Sequence, residues 1–175
     1  MKIKGTEVGT GRPLICVPVL EKTKEEVIKE VEYFVKSDAD MIEWRLDAFE
    51  HYTDYNEVRE ILQQIAPLLK KKLFLYTFRT AKQGGVVSVD RETLNDLHDL
   101  AAESECVDLI DLEFFEEEHP ARKIRKLHLR VPHDVSIDYG CSIRGNNSLG
   151  SDGDTFNFFG FILTIQNKCL YIFCE

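Results

Sequence analysis

At 175 residues the chain is long enough for one domain with a real core. A formal net charge of −9 leaves no basic stripe to offset phosphate repulsion, which excludes nucleic acid as a partner. The first residues, Met1 to Gly5, lack an apolar signal core, and the longest apolar run, Phe158 to Ile165, is too short to span a bilayer. No membrane partner is therefore expected. Cys16, Cys106, Cys141, Cys169 and Cys174 form no CxxC pair, and no cysteine–histidine cluster has zinc spacing. The expectation is no zinc site and a reducing, cytoplasmic setting.

In chain order, Leu14–Leu20 reads as a first strand. Thr23 with Glu26 three positions on has the form of a capping box opening a helix through about Lys36. Asp40–Asp47 reads as a second strand, and Val58, Ile61, Leu62, Ile65 and Leu68 give helical periodicity from Tyr55 to about Leu69. Lys72–Arg79 is a third strand, and Asp90 heads a third helix carrying Leu94, Leu97, Leu100 and Ala101. Val107–Glu113 is a fourth strand, Glu116 to Glu118 a solvated helix start, and Pro120 to His128 a short basic helix.

Within the second strand, Glu43, Arg45 and Asp47 alternate with Ile42, Trp44 and Leu46, so the three charges share one face. Charge on a buried parallel strand is costly unless paired or used. An internal salt bridge is the plain reading. The functional reading gains weight because the third strand ends similarly, in Thr77-Phe78-Arg79-Thr80.

Four β/α units in succession imply a parallel sheet, either doubly wound or a (β/α)8 barrel. No glycine-rich loop follows the first strand, where Glu21-Lys22 stands instead, which weighs against a dinucleotide site. Glu43, Arg45, Arg79 and Glu113 fall at or near the C-terminal ends of their strands, where barrels build active sites. The barrel is favoured.

After His128 the composition changes: 45 of residues 1–128 are charged, against 8 of residues 129–175. Gly145 to Asp154 reads as a loop, while Phe156–Ile165 and Cys169–Phe173 have strand character with no helix between them. The expected division is residues 1–128 as the N-terminal half of a barrel, about four β/α units, and 129–175 as a divergent tail.

Residues 1–128 resemble the N-terminal half of a type I 3-dehydroquinate dehydratase. The resemblance rests on Ile15-Cys16-Val17-Pro18, Glu43-Trp44-Arg45-Leu46-Asp47, Thr77 through Gly85, and Asp108 through Glu113, in that order and spacing. It implies a TIM barrel of the shikimate pathway that dehydrates 3-dehydroquinate to 3-dehydroshikimate without metal or cofactor. A lysine Schiff base would supply the electron sink and a histidine the proton transfer. Carried onto this chain, the resemblance has Glu43 and Arg45 contact substrate hydroxyls and Arg79 contact substrate oxygens, while Gly84-Gly85 permits a close backbone approach.

Two departures follow from the same resemblance. Gln83 stands where the family usually has a glutamate supporting the catalytic histidine, and glutamine cannot stabilise an imidazolium by charge. The family's Ser-x-His-Asp strand and Schiff-base lysine strand have no recognisable counterpart. His133-Asp134 comes too early, and Lys168 lies in unrelated surroundings, so neither is assigned as catalytic. His51, His98, His119 and His128 are read as surface residues, and Glu113 as facing the barrel centre or pairing with Arg45 or Arg79.

The expected function is thus that of the lyase family, with this chain inactive and its tail replaced through a frameshift or a mis-predicted gene model. The alternative is a binding or interaction module that retains the Glu43/Arg45/Arg79 cluster. A homo-oligomer formed through open half-barrel edges is a further expectation.

Overall fold

In the computed structural model, residues 2–8, 13–113, 159–165 and 168–174 are described. A short antiparallel hairpin comes first, β1 (Lys2–Ile3) and β2 (Thr6–Glu7). Its two turn residues both take positive φ, Lys4 at 47° and Gly5 at 87°. Two successive left-handed residues match the twist of the flanking strands, which suits a two-residue hairpin. Sequence patterning carries no signal for this element.

The β/α units follow: β3 (Cys16–Val19), α1 (Lys24–Val35), β4 (Met41–Arg45), α2 (Tyr55–Ile65), β5 (Leu73–Thr77), α3 (Arg91–Glu103) and β6 (Leu109–Glu113). Strands β3 to β6 lie side by side in sequence order and are parallel throughout. The four expected strands and the three helices between them are present, with strands shorter by a few residues at their ends. The second stops at Arg45, and Leu46–Ala48 turns into a 3-10 segment, so Asp47 lies beyond the strand.

Each helix begins where a side chain satisfies an otherwise orphaned N–H. The Thr23 hydroxyl accepts from the Glu26 N–H at 3.4 Å, one half of the expected capping box, and the Glu26 carboxylate accepts from that hydroxyl at 2.8 Å. Asp54 caps α2 and Asp90 caps α3, accepting from Asn56, Glu57 and Thr93.

The two faces of the sheet are distinct. Ile42, Trp44, Phe74, Tyr76, Ile110 and Leu112 pack into the main core beneath the helices, which contribute Val27, Val31, Val58, Ile61 and Leu97. Trp44 meets Phe49 and Tyr76 at ring-centroid distances of 5.9 and 6.0 Å. The alternate residues Met41, Leu73, Leu75 and Leu109 form a second, smaller cluster with Ile3 and Val8. The hairpin therefore covers the N-terminal end of the opposite face. Lys4 fastens it there: its ammonium donates to the Asp108 carboxylate at 2.7 Å and to the Leu69 and Lys72 carbonyls.

Two further strands complete the sheet by backbone pairing. β8 (Lys168–Cys174) lies parallel beside β6, and β7 (Phe159–Ile165) is antiparallel to β8. They match the two apolar runs read as strands, and the β/α alternation ends with them. The expected basic helix 120–128, the acidic run 116–118, the glycine-rich loop and His119, His128 and His133 lie outside the described residues.

His98 departs from its expected surface position. It is buried in α3, at 1% exposure, beside Leu94, Leu97 and Ala101. The charged neighbours that suggested a surface setting are adjacent in sequence, but on a helix they point elsewhere.

Candidate functional site

Register defines the face opposite the helices. Pro18, Glu43, Leu75 and Leu109 stand abreast, and one step toward the C-terminal ends Arg45 stands opposite Thr77. Two residues beyond Leu109 on the same face comes Asp111. This face therefore changes character along the strands. Its N-terminal half is apolar and plugged by Ile3 and Val8. Its C-terminal half carries Glu43, Arg45, Thr77 and Asp111, joined by Arg79 just after β5. The structure brings Glu43, Arg45 and Arg79 to one end of one face.

Both arginines are held by buried carboxylates. Arg45 forms a fork with Asp47, Nε to Oδ1 and Nη2 to Oδ2, each at 2.8 Å. Asp47 is 1% exposed. Its hydrogen bonds, foremost, push the Arg45 guanidinium above its ordinary value, reinforced by the nearby Glu43 and Asp111 charges. Arg79 donates through Nη2 to Asp111 Oδ2 at 2.5 Å, and Asp111 is also 1% exposed. The plain reading of the alternating charges, an internal ion pair, thus holds for Arg45 and Asp47. The carboxylates that hold the two arginines are Asp47 for Arg45 and Asp111 for Arg79; the Glu113 side chain lies outside the described residues. Removing either carboxylate would strand a largely buried guanidinium, which is far costlier than the pair is worth.

The loop after β5 is folded back onto this cluster. Ala81–Gln83 forms a 3-10 turn closed by Gly84 at φ 80°. Gly85 then donates its N–H to the Thr80 carbonyl at 2.8 Å, Ala81 donates to Val87 at 2.8 Å, and Val86 donates to Asp47 Oδ2 at 3.2 Å. A Cβ on Gly85 would lie 1.7 Å from the Arg79 carbonyl oxygen. The close approach expected of this glycine pair is therefore made by Gly85 to the backbone of Arg79 itself.

Cys16 stands beside this face, with its register partner Met41 two residues before Glu43. Desolvation first, and the Glu43 carboxylate second, push its thiol up to about 12. A thiol so disfavoured as thiolate is no nucleophile at neutral pH. Lys168 opens β8, and the pairing of Cys169 with Leu109 sets it at the N-terminal end of the sheet. Three residues separate it from the level of Asp111, about 10 Å along the strand. Gln83 lies on the 3-10 turn, half-buried.

Among the described residues, no group of three His, Cys, Asp or Glu side chains is placed to hold a metal ion, and no helix is long and apolar enough to cross a membrane. A cavity of about 470 Å³ lies between the last turns of α2 and α3, lined by Arg59, Leu62, Gln63, Leu100, Ser104 and Cys106. It belongs to the helix layer and shares no residue with the charged face. Sequence reasoning named the two arginines and Glu43; it missed Asp111 as an anchor, although Asp111 lies within one of the four matching motifs.

Residues 15–131 match the family model described as type I 3-dehydroquinase. The chain is 36% identical over 115 residues to the 3-dehydroquinate dehydratase of Bacillus subtilis, covering 66% of this chain and 45% of that one. It is 39% identical over 116 residues to the 3-dehydroquinate dehydratase of Listeria monocytogenes, covering 66% and 46%. Among solved structures, a type I 3-dehydroquinate dehydratase from Clostridium difficile, carrying covalently modified comenic acid, superposes with a TM-score of 0.63 at 36% identity, covering 65% of this chain and 45% of that one. The enzyme from Enterococcus faecalis gives 0.66 at 31% identity, covering 73% and 52%. The chain spans about half the length of the curated relatives it matches. Its four parallel strands β3 to β6, with the three helices between them, are laid out as part of a (β/α)8 barrel.

Proposed function

Because the chain belongs to the type I 3-dehydroquinase family, we propose that the charged end of its sheet face is the part of a 3-dehydroquinate site that recognises hydroxyl and carbonyl oxygens. The observation that carries this reading is that Arg45 and Arg79, on or just after neighbouring strands, are each ion-paired with a buried carboxylate, Asp47 and Asp111. An arginine neutralised by a buried carboxylate keeps its remaining N–H donors but loses most of its net pull on an anion. It suits neutral oxygens of a polyhydroxylated ring better than a carboxylate. Glu43, an acceptor when ionised, complements it by taking a substrate O–H.

The family's activity, dehydration of 3-dehydroquinate through a lysine Schiff base with histidine proton transfer, needs two residues that we do not assign in this chain. Lys168 is given no catalytic role, its backbone standing at the N-terminal end of β8, before the level of Leu109. The chain as it stands is therefore proposed to bind without turnover. Residues 1–128 form the binding half-barrel and 129–175 a divergent tail, whose strand β8 pairs with β6. A second reading, an interaction module joining half-barrels through open strand edges, is distinguished by the same experiment.

Calorimetry with 3-dehydroquinate, followed by borohydride reduction and intact-mass measurement, tests both parts. Saturable one-to-one binding without a mass increase is expected. Absence of binding would overturn the site, whereas a reduced adduct would overturn the claim of inactivity.

A further inference from the structure

Asp47 occupies a singular position in this cluster. Its carboxylate, with a fully buried side chain, gathers four donors from three segments of chain. Oδ1 accepts from Arg45 Nε at 2.8 Å and from the Arg79 backbone N–H at 3.3 Å. Oδ2 accepts from Arg45 Nη2 at 2.8 Å and from the Val86 backbone N–H at 3.2 Å. It sits on the 3-10 turn Leu46–Ala48, whose flanking residues Leu46 and Phe49 are themselves buried in the core. The turn is thus fixed from below while its carboxylate faces the site.

We propose that Asp47 is the positioning residue of the site, setting the plane of the Arg45 guanidinium and the spacing between Arg45 and Arg79 before any ligand arrives. The inference rests on the reading that both arginines bind substrate oxygens. The fork allows one orientation of the guanidinium about its long, flexible stem, removing rotamer freedom that binding would otherwise have to remove. The two backbone bonds act on Arg79 differently. They hold the end of β5 and the returning loop, so the point from which the Arg79 side chain departs is tied to the same carboxylate. Asp111 then fixes the far end of Arg79 from the neighbouring strand. One buried carboxylate thereby couples two binding residues that come from different β/α units.

The alternative is a clamp that serves stability alone. Asp47→Asn separates the two, because asparagine keeps one acceptor but presents an amide N–H to donors. Three readouts on the full chain are needed: affinity for 3-dehydroquinate, amide exchange at Arg79 and Val86, and exchange of the Arg45 Nε–H. The expected result is at least tenfold weaker binding, with faster exchange at all three positions and unchanged exchange at the Phe74 amide, which is held by Asp108. The Arg45→Met background should absorb part of the Asp47→Asn loss, since the two residues then act through one interaction. Asp47→Glu keeps charge and acceptors and serves if the asparagine variant fails to fold. Its affinity should fall between wild type and Asp47→Asn. Wild-type affinity in either variant, with faster backbone exchange, would overturn the proposal and leave only a clamp. If wild type itself does not bind, the substrate reading falls. The positioning claim is then decided by the Arg45 Nε–H, whose unchanged exchange in Asp47→Asn would overturn it.

Discussion

Gly85→Ala is the sharpest single perturbation of the loop that covers the charged cluster. The added Cβ would meet the Arg79 carbonyl oxygen at 1.7 Å, the carbonyl carbon at 2.4 Å and the Thr80 carbonyl oxygen at 3.0 Å. All three are backbone atoms, so no side chain can rotate away. The loop must retreat by about 1.3 Å or more before the first contact becomes tolerable. That retreat stretches three hydrogen bonds: Gly85 to Thr80, Ala81 to Val87, and Val86 to Asp47. At about 1 kcal/mol net each, the loss is about 2–4 kcal/mol, or a melting temperature lower by about 5–15 °C in a chain of this size. Gly84→Ala is the control. Gly84 has φ 80°, but a Cβ added there would meet nothing within 4 Å, so it bears only the left-handed backbone penalty, about 1–2 kcal/mol. Urea unfolding followed by circular dichroism measures both variants. A Gly85→Ala loss below about 1 kcal/mol, or smaller than that of Gly84→Ala, would refute the argument that close backbone approach dictates this glycine.

Trp44→Ala should cost about 3–5 kcal/mol, because Trp44 is fully buried against Phe49 and Tyr76 and its neighbours cannot all collapse inward; a urea midpoint near wild type would contradict the packing described. Cys16, although exposed, should alkylate with iodoacetamide at about pH 8 more slowly than a peptide thiol, since desolvation and the Glu43 carboxylate push its thiol up. Peptide mapping that finds ordinary reactivity would show that desolvation beside Glu43 does not suppress the thiolate. Asp90 is held below its ordinary carboxylate value by hydrogen bonds from Thr93. A depressed folded value contributes stability that is present above 3.8 and lost as pH falls through the lowered value. The melting-temperature advantage of wild type over Asp90→Asn should therefore hold steady from neutral pH to about pH 5 and shrink below it; an advantage that persists in strong acid would count against the cap.

The β/α order, the three helix starts and the two faces of the sheet were legible because they are written locally. Thr23 with Glu26, and Asp90, act within one turn of their own helix, while the Asp54 cap of α2 came only from the structure. The alternation of Ile42 and Trp44 with Glu43 and Arg45 needs only the two-residue period of a strand, which ends at Arg45 before Leu46 and Asp47 turn away. His98 was misread for a related reason: its sequence neighbours are charged, but burial of a helix residue depends on positions three and four away and on what packs there.

By itself the sequence determined that Glu43, Arg45 and Arg79 belong at strand ends on one side of a parallel sheet, since strand period and crossover handedness leave few other arrangements. Only the tertiary structure decided which carboxylate each arginine meets. Asp47 reaches Arg45 through a turn whose direction is set by Leu46 and Phe49 in the core, and Asp111 reaches Arg79 from another strand, 32 residues along the chain. The N-terminal hairpin was equally hidden. Two strands of two residues carry too short a pattern to read, and they are held in place by Lys4 reaching Asp108, 104 residues away. Contacts of that span depend on the whole sheet being assembled, and no local pattern encodes them.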